Sequence, residues 1–307
     1  MSKRIKSIMR EIYDKYSIIR KIYYIYRKIY YSTMDIIDRL LGWRGPVISP
    51  LIASRKIFRT DGCRNALSYK KTGEARLKHL IELGGLKPNE KILDVGCGTG
   101  RIAVPLTKYI DETGRYEGFD IVKEKINWCK KISAKHPNFR FQHVDLFNKS
   151  YNPKGKLKAS KFKFPFQNDS FDFVLLHSVF THMLPQDMEN YLREIARVLK
   201  RGGRCFISFF LLNKESLQLI NIGKSYEKFK CDFGLEKNRT ISANTPEAAV
   251  AYDEVFVLGL YEKYGLRITQ PIRYGSWCGR SNFFPFYSFL PRSLYSYSQD
   301  VIIASKG

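Results

Sequence analysis

No two of the six cysteines are spaced as a metal or redox pair; they stand alone at 63, 97, 129, 205, 231 and 278. That excludes a Cys-x-x-Cys centre, and a chain of 307 residues is too large to be a disulfide scaffold. Reduced thiols in a cytoplasmic protein fit this usage. Long apolar runs are missing too. No stretch of about 18 uninterrupted apolar residues occurs, nor an apolar core of signal-peptide type, which argues against a spanning helix or a secretory signal. Acids are scarce: 29 Asp and Glu stand against 53 Lys and Arg, a formal charge of +24. Such an excess attracts polyanions, whether nucleic acid, an anionic membrane face or a phosphorylated substrate, and does not choose among them. A plainly solvated lysine-rich surface accounts for the same charge. With 44% hydrophobic and 14% aromatic residues the chain has enough apolar material for a sizeable core.

Residues 1–45 form a compositional block. Ile5, Ile8, Ile12, Tyr16, Ile19, Tyr23, Tyr26, Tyr30, Met34, Ile37 and Leu41 recur every three or four positions with Lys and Arg between them. The spacing predicts a long amphipathic helix with a basic polar side, ended by Gly42 and Gly45-Pro46. Three readings stay open: a helix lying on an anionic membrane through residues 3–41, a helix that pairs in a homodimer, or one packed on its own domain. Residues 46–65 read as a linker carrying Pro46, Pro50 and Gly62, and a domain follows over 66–307.

Within that domain a helix is expected at 66–84. Apolar runs at 91–95, 115–119, 139–144, 171–176, 203–210, 266–274 and 300–305 read as strands. Helical patterns at 100–110, 123–134, 186–199 and 246–264 fall between most of them. The alternation argues for an α/β fold with a mostly parallel sheet and helices on both faces. No ordinary helix separates the last two strands, so the final one is expected to run antiparallel. Two insertions interrupt the pattern, the lysine-rich 149–163 and the aromatic 276–297.

Chemistry concentrates where the strands end. Lys91-Ile-Leu-Asp-Val-Gly-Cys-Gly-Thr-Gly-Arg101 ends an apolar strand in an acid, and Gly96, Gly98 and Gly100 then open a helix. Glycines so placed let a cofactor lie against bare backbone. Asp120, with Ile121 after it, ends the next strand, where a carboxylate takes both hydroxyls of a ribose, as in NAD or S-adenosylmethionine. Asp145 ends the third strand, placed to accept from an adenine amino group, with Leu146 flanking the ring. One acid alone could be a cap or a solvated loop residue. Three at successive strand ends beside a glycine loop match the crevice where open α/β sheets bind ligands.

With Leu199-Lys-Arg-Gly-Gly203 opening the fifth strand, the chain resembles the class I S-adenosylmethionine-dependent methyltransferases over roughly 75–305. It is also similar to a bacterial subgroup carrying Phe180-Thr-His-Met-Leu-Pro185 and Pro246-Glu-Ala-Ala-Val-Ala-Tyr-Asp-Glu254. The resemblance implies a seven-stranded, mostly parallel Rossmann-like sheet with an antiparallel last strand, and S-adenosylmethionine across the carboxyl ends of strands one to four. Carried over by position, Asp94, Gly96, Cys97, Gly98 and Gly100 face the methionine part, Asp120 and Ile121 the ribose, Asp145 and Leu146 the adenine. The His177 backbone carbonyl is then placed to hold the cofactor's amino group.

Methyl transfer from a sulfonium is an in-line displacement, so much of its acceleration comes from positioning. A hydroxyl or ammonium acceptor also needs a base, and histidine suits neutral pH. His182, one turn beyond His177, is the first candidate. Tyr252 with Glu254, expected on the helix before strand six, is the second. No Asn-Pro-Pro-Tyr or Asp-Pro-Pro-Tyr follows strand four, which disfavours methylation of a base nitrogen in nucleic acid. No paired acid site of the catechol kind occurs, so no metal is expected. A small-molecule, glycan or lipid-linked acceptor is the leading expectation. RNA, motivated by Lys154, Lys156, Lys158, Lys161 and Lys163, and a non-catalytic membrane-associated scaffold are its rivals.

Overall fold

A computed structural model describes residues 25, 26, 29, 33, 63, 66–233, 238–280 and 298–307. The chain divides into two compact units, Met1–Lys70 and Lys71–Gly307. In the first, Ile25, Tyr26, Ile29 and Thr33 are helical and exposed. The rest of the expected basic helix and the linker up to 62 lie outside the described residues, as does the aromatic stretch 281–297.

In chain order the elements are α1 (Ala66–Glu82), β1 (Lys91–Val95), α2 (Ala103–Leu106), β2 (Arg115–Asp120), α3 (Lys123–Ser133), β3 (Phe139–His143), β4 (Phe171–Leu176), α4 (Pro185–Val198), β5 (Leu199–Phe209), β6 (Leu211–Leu212), α5 (Lys214–Asn221), β7 (Cys231–Phe233), β8 (Asn238–Thr240), β9 (Val250–Asp253), α6 (Glu254–Lys263), β10 (Leu266–Ile268) and β11 (Asp300–Lys306). Seven strands form one sheet in the order β10-β11-β5-β4-β1-β2-β3. β1 pairs parallel with β2 on one side and with β4 on the other. The chain therefore reverses its winding at β1, and the crevice beyond the β1 and β4 carboxyl ends is the switch point where such sheets bind ligands. β11 is antiparallel to both β5 and β10.

Central strands read as near-continuous apolar runs because helices cover both faces. Ile92, Leu93, Val95, Phe173, Val174 and Leu176 are fully buried. α3 turns Ile126, Cys129 and Ile132 inward together with Lys125, while α4 buries Met188, Tyr191, Leu192 and Ile195. Pro185 opens α4, where its missing N–H is not needed. The buried Glu194 carboxylate accepts from the Phe164 N–H and pairs with Arg197, whose guanidinium also donates to the Phe164 and Phe166 carbonyls. That clamp fixes the end of the 149–163 insertion against the domain.

Several expectations needed correction. The helical pattern 246–264 divides into a 3-10 turn (Pro246–Ala248), β9 and then α6, which Asp253 caps by accepting from the Phe256 N–H. Helix 100–110 contracts to α2, and strand 266–274 to β10. A second, four-stranded sheet, β6-β9-β8-β7, was not expected. Phe210, Leu212, Phe229, Ala251 and Trp277 form its apolar cluster. Asp300, fully buried at the start of β11, ties it to the main sheet. Its carboxylate accepts from the Leu211 and Gly275 N–H groups and from Trp277 Nε1, and pairs with Arg280 at 3.2 Å.

Candidate active site

The glycine loop leaves β1 with Gly96, Gly98 and Gly100 all at positive φ, +77°, +58° and +76°. At Gly96 a Cβ would also lie 2.4 Å from Val179 Cγ2, so only glycine fits there. The loop is held from β2. The Phe119 carbonyl accepts from the Gly96 and Cys97 N–H groups, at 2.8 and 3.0 Å. Asp120 accepts from the Gly98 N–H through Oδ2 at 2.9 Å and from the Val122 N–H through Oδ1 at 2.7 Å.

Asp94 is buried behind the loop, 2.5 Å from the Tyr116 hydroxyl that donates to it. Burial pushes its carboxyl up to about 7, against the opposing pull of that hydrogen bond and of Arg101. Cys97 is buried beside Cys129, and burial raises its thiol well above the usual range. Ile121 packs half-buried on the core, and its carbonyl lies 3.2 Å from His143 Nε2. Asp145 Oδ1 accepts from Asn152 Nδ2 at 3.2 Å, while Leu146 is buried in the core.

Beyond β4 the backbone is strained. Ser178 has φ +58°, an uncommon conformation for a side chain that is not glycine. It is held by the β5–β11 edge: its N–H donates to Ser208 Oγ, and both hydroxyls donate to Gln299 Oε1, at 3.0 and 2.7 Å. His177 precedes it; burial, reinforced by Arg76 and Arg101, drives its imidazole well below the usual pKa, so the ring is neutral at pH 7. His182 ends the 3-10 turn Phe180–His182. Its Nδ1 lies 3.0 Å from the Glu247 carbonyl and its Nε2 3.3 Å from the Tyr151 hydroxyl. A carbonyl only accepts, so Nδ1 carries the proton and Nε2 presents its lone pair. Burial and then Lys125 lower the pKa of this ring, partly opposed by its backbone hydrogen bonds.

Tyr252 is corrected in both place and partners. It sits on β9, not on a helix, fully buried, with its hydroxyl shared between the Phe180 and Met183 carbonyls at 2.8 and 2.6 Å. Burial raises its phenol well above the usual range. The hydroxyl thus fastens the turn that carries His182. Glu254, two residues on, accepts from Asn213 and Tyr274 instead.

Asp94 and Asp120 thus stand at the carboxyl ends of β1 and β2, and Asp145 just beyond β3, beside a loop whose three glycines are at positive φ. Residues 93–207 match the family described as a methyltransferase domain. Over these residues the chain carries a methyltransferase domain of the S-adenosylmethionine-dependent kind. S-adenosylmethionine is the cofactor of this family, and the donor set of the crevice fits it. Over 118 residues the chain is 33% identical to an uncharacterized methyltransferase of Schizosaccharomyces pombe, a match covering 38% of this chain and 39% of that protein. Over 143 residues it is 28% identical to demethylmenaquinone methyltransferase of Staphylococcus aureus, covering 47% of this chain and 52% of that one. The chain thus spans about half or less of the curated relatives' length. In fold it is similar to a chain from the complex of the Haloferax volcanii Trm112 methyltransferase activator with an inferred methyltransferase, with a TM-score of 0.52 and 15% identity, over 82% of this chain and 96% of that one.

Among the described residues no group of three or more His, Cys, Asp or Glu is placed to hold a metal ion. No described helix is long and apolar enough to cross a membrane. Tyr151, Asn148, Asn152, Glu247, Ser178 and Gln299 were missed from the sequence. Gln299 meets Ser178 across 121 positions, a contact with no local signal. Asn148 had one: Asn followed by Ser150 and Tyr151 forms a side-chain turn, its Oδ1 accepting from both N–H groups.

Proposed function

We propose that the protein methylates a hydroxyl oxygen of a small-molecule, glycan or lipid-linked acceptor, with His182 Nε2 as the base. The observation that carries this reading is the Glu247 carbonyl on Nδ1, which leaves the opposite nitrogen as an acceptor in a neutral ring. The cofactor supplies an electrophilic methyl on its sulfonium. Asp120 takes the ribose hydroxyls, Asp145 the adenine amino group, and Asp94 with the glycine loop the methionine part. The His177 carbonyl holds the ammonium. Tyr252 keeps the His182 turn in place.

The test is tritium transfer from labelled cofactor into separated lipid, glycan and RNA fractions of a cell extract. His182→Ala is expected to lower kcat about 10²-fold, the scale of general base catalysis, with cofactor affinity within twofold. Cofactor binding without transfer into any fraction would favour the scaffold. RNA is kept as a second reading because Lys154, Lys156, Lys158, Lys161 and Lys163 are all exposed. Phosphate contacts would make RNA affinity fall steeply with salt, and weak, salt-insensitive binding ends that reading. The exposed Ile25, Tyr26 and Ile29 support a lipid-linked acceptor approached from a membrane face. Equal partitioning onto anionic vesicles with and without residues 1–44 counts against it.

Asp94 adds a pH dependence. With its carboxyl raised to about 7, it is mostly protonated at pH 6 and must ionise to receive a cation. Affinity for S-adenosylmethionine is therefore expected to rise by up to about tenfold per unit as pH increases toward 7, then level off. Asp94→Asn should flatten that slope in calorimetric titrations from pH 5.5 to 8.5.

A further inference from the structure

We propose that Tyr151 is a catalytic residue of the same site, its hydroxyl relaying the acceptor's proton to His182 Nε2. The inference rests on the base assigned above and adds a group from the lysine-rich insertion.

Three observations carry it. The first is geometric: the Tyr151 hydroxyl lies 3.3 Å from Nε2, and because Nδ1 donates to Glu247, that phenol is the donor. The rings meet edge to face with centroids 5.1 Å apart. The second is exposure. Tyr151 is 41% exposed and His182 is half-buried, so an acceptor arriving from solvent meets the phenol before the imidazole. The third is that the phenol is held in place from both ends of the crevice. Asn148 Oδ1 accepts from the Tyr151 N–H while its Nδ2 donates to the His182 carbonyl, so one side chain sets tyrosine against histidine. Asn152, next in the chain, donates to Asp145 Oδ1 and to the Leu146 carbonyl. The same short turn thus touches the acid at the end of β3 and the base beyond β4.

Charge fits the role. Lys125, almost buried at the start of α3, holds its ammonium 6.0 Å from the centre of the Tyr151 ring. A cation there favours negative charge developing on the phenolic oxygen and opposes a charge resting on His182 before transfer. Lys125 is also the charged neighbour whose field acts on His182; its other perturbing partners are backbone groups.

The proton count closes. The acceptor O–H bond breaks and a new O–H bond forms at Tyr151 Oη as the original phenolic proton moves to Nε2. The acceptor oxygen bonds the methyl carbon with the pair so freed, and the sulfur keeps the pair of its broken bond. His182 then carries one extra proton, which it returns to water.

Tyr151→Phe removes only the hydroxyl and tests the relay with two readouts. In nitrogen-15 spectra of the histidine rings, losing the donor on Nε2 should raise the His182 pKa by about half to one unit. In tritium transfer to the most active extract fraction, kcat should fall about 10²-fold with KM and cofactor affinity within twofold. Asn148→Ala, which keeps the phenol but frees it, should give a smaller loss of kcat in the same direction. An unchanged His182 pKa overturns the inference, as does a Tyr151→Phe kcat within twofold of an active wild type. A wild type that binds cofactor but transfers no methyl overturns the enzyme reading itself, and the relay with it.

Discussion

Asp120→Ala is expected to bind S-adenosylmethionine about 10³-fold more weakly than the wild type, on the basis of two lost charge-assisted hydrogen bonds at about 1.5–3 kcal/mol each. The carboxylate also holds the Gly98 and Val122 N–H groups, so the substitution unpins the glycine loop besides removing the proposed acceptor for the ribose hydroxyls. The Phe119 carbonyl still anchors Gly96 and Cys97, so the sheet should persist and circular dichroism should change little. Asp120→Asn separates the two effects. Its amide oxygen replaces one acceptor and its NH2 faces an N–H, so an intermediate loss is expected. Calorimetry with the cofactor and with its demethylated product decides. A dissociation constant within fivefold of wild type for the alanine variant would show that Asp120 serves the loop without serving the cofactor.

The second large effect is on stability. Asp300→Ala leaves the Leu211 and Gly275 N–H groups and Trp277 Nε1 without their acceptor and strips Arg280 of its buried partner. Arg280 keeps Glu215 as its remaining partner at 2.6 Å, and breaking a buried pair from one side costs about 3–5 kcal/mol. For a unit of this size that corresponds to a melting temperature lower by about 10 °C. The sign of the pH dependence is also set. Burial raises the Asp300 carboxyl from 3.8 to about 6, so the folded state holds this proton more tightly than the unfolded chain. The stabilisation that comes from this proton is therefore fully present below about pH 4 and is lost as pH rises through about 6. Asp300→Asn should flatten that part of the stability profile while melting between the wild type and the alanine variant.

The main sheet was legible because most of its strands carry a short apolar run, and buried acids stand at or next to the carboxyl ends of β1 and β2. Periodicity carried α3 and α4 for the same reason: their buried faces recur every three or four residues. What local pattern could not reveal depends on partners distant in sequence. Val250-Ala-Tyr-Asp253 continues an apolar helical pattern, yet it extends because Arg239 and Thr240 on one side and Leu211 and Leu212 on the other supply its hydrogen bonds. α5 was overlooked although Asn213 and Ser216 cap it reciprocally, a signal that was available. In the site, the acids and glycines carry a recognisable spacing. The groups around His182 come from Asn148 and Tyr151 at the start of the insertion and from Glu247 in the turn before β9, and no spacing links them.

The place of β11 also governs how the sheet comes into being during synthesis. β5 is finished at Phe209, but its outer edge acquires a partner only when Asp300–Lys306 arrives, and the contacting pair Ser208 and Gln299 are 91 residues apart. At about 5–20 residues per second, the nascent chain carries that open edge for about 5–20 s. An unpaired strand of this length is a template for pairing with another chain. The lysine and arginine excess, spread over the growing polypeptide, keeps neighbouring nascent chains apart during that interval by mutual repulsion.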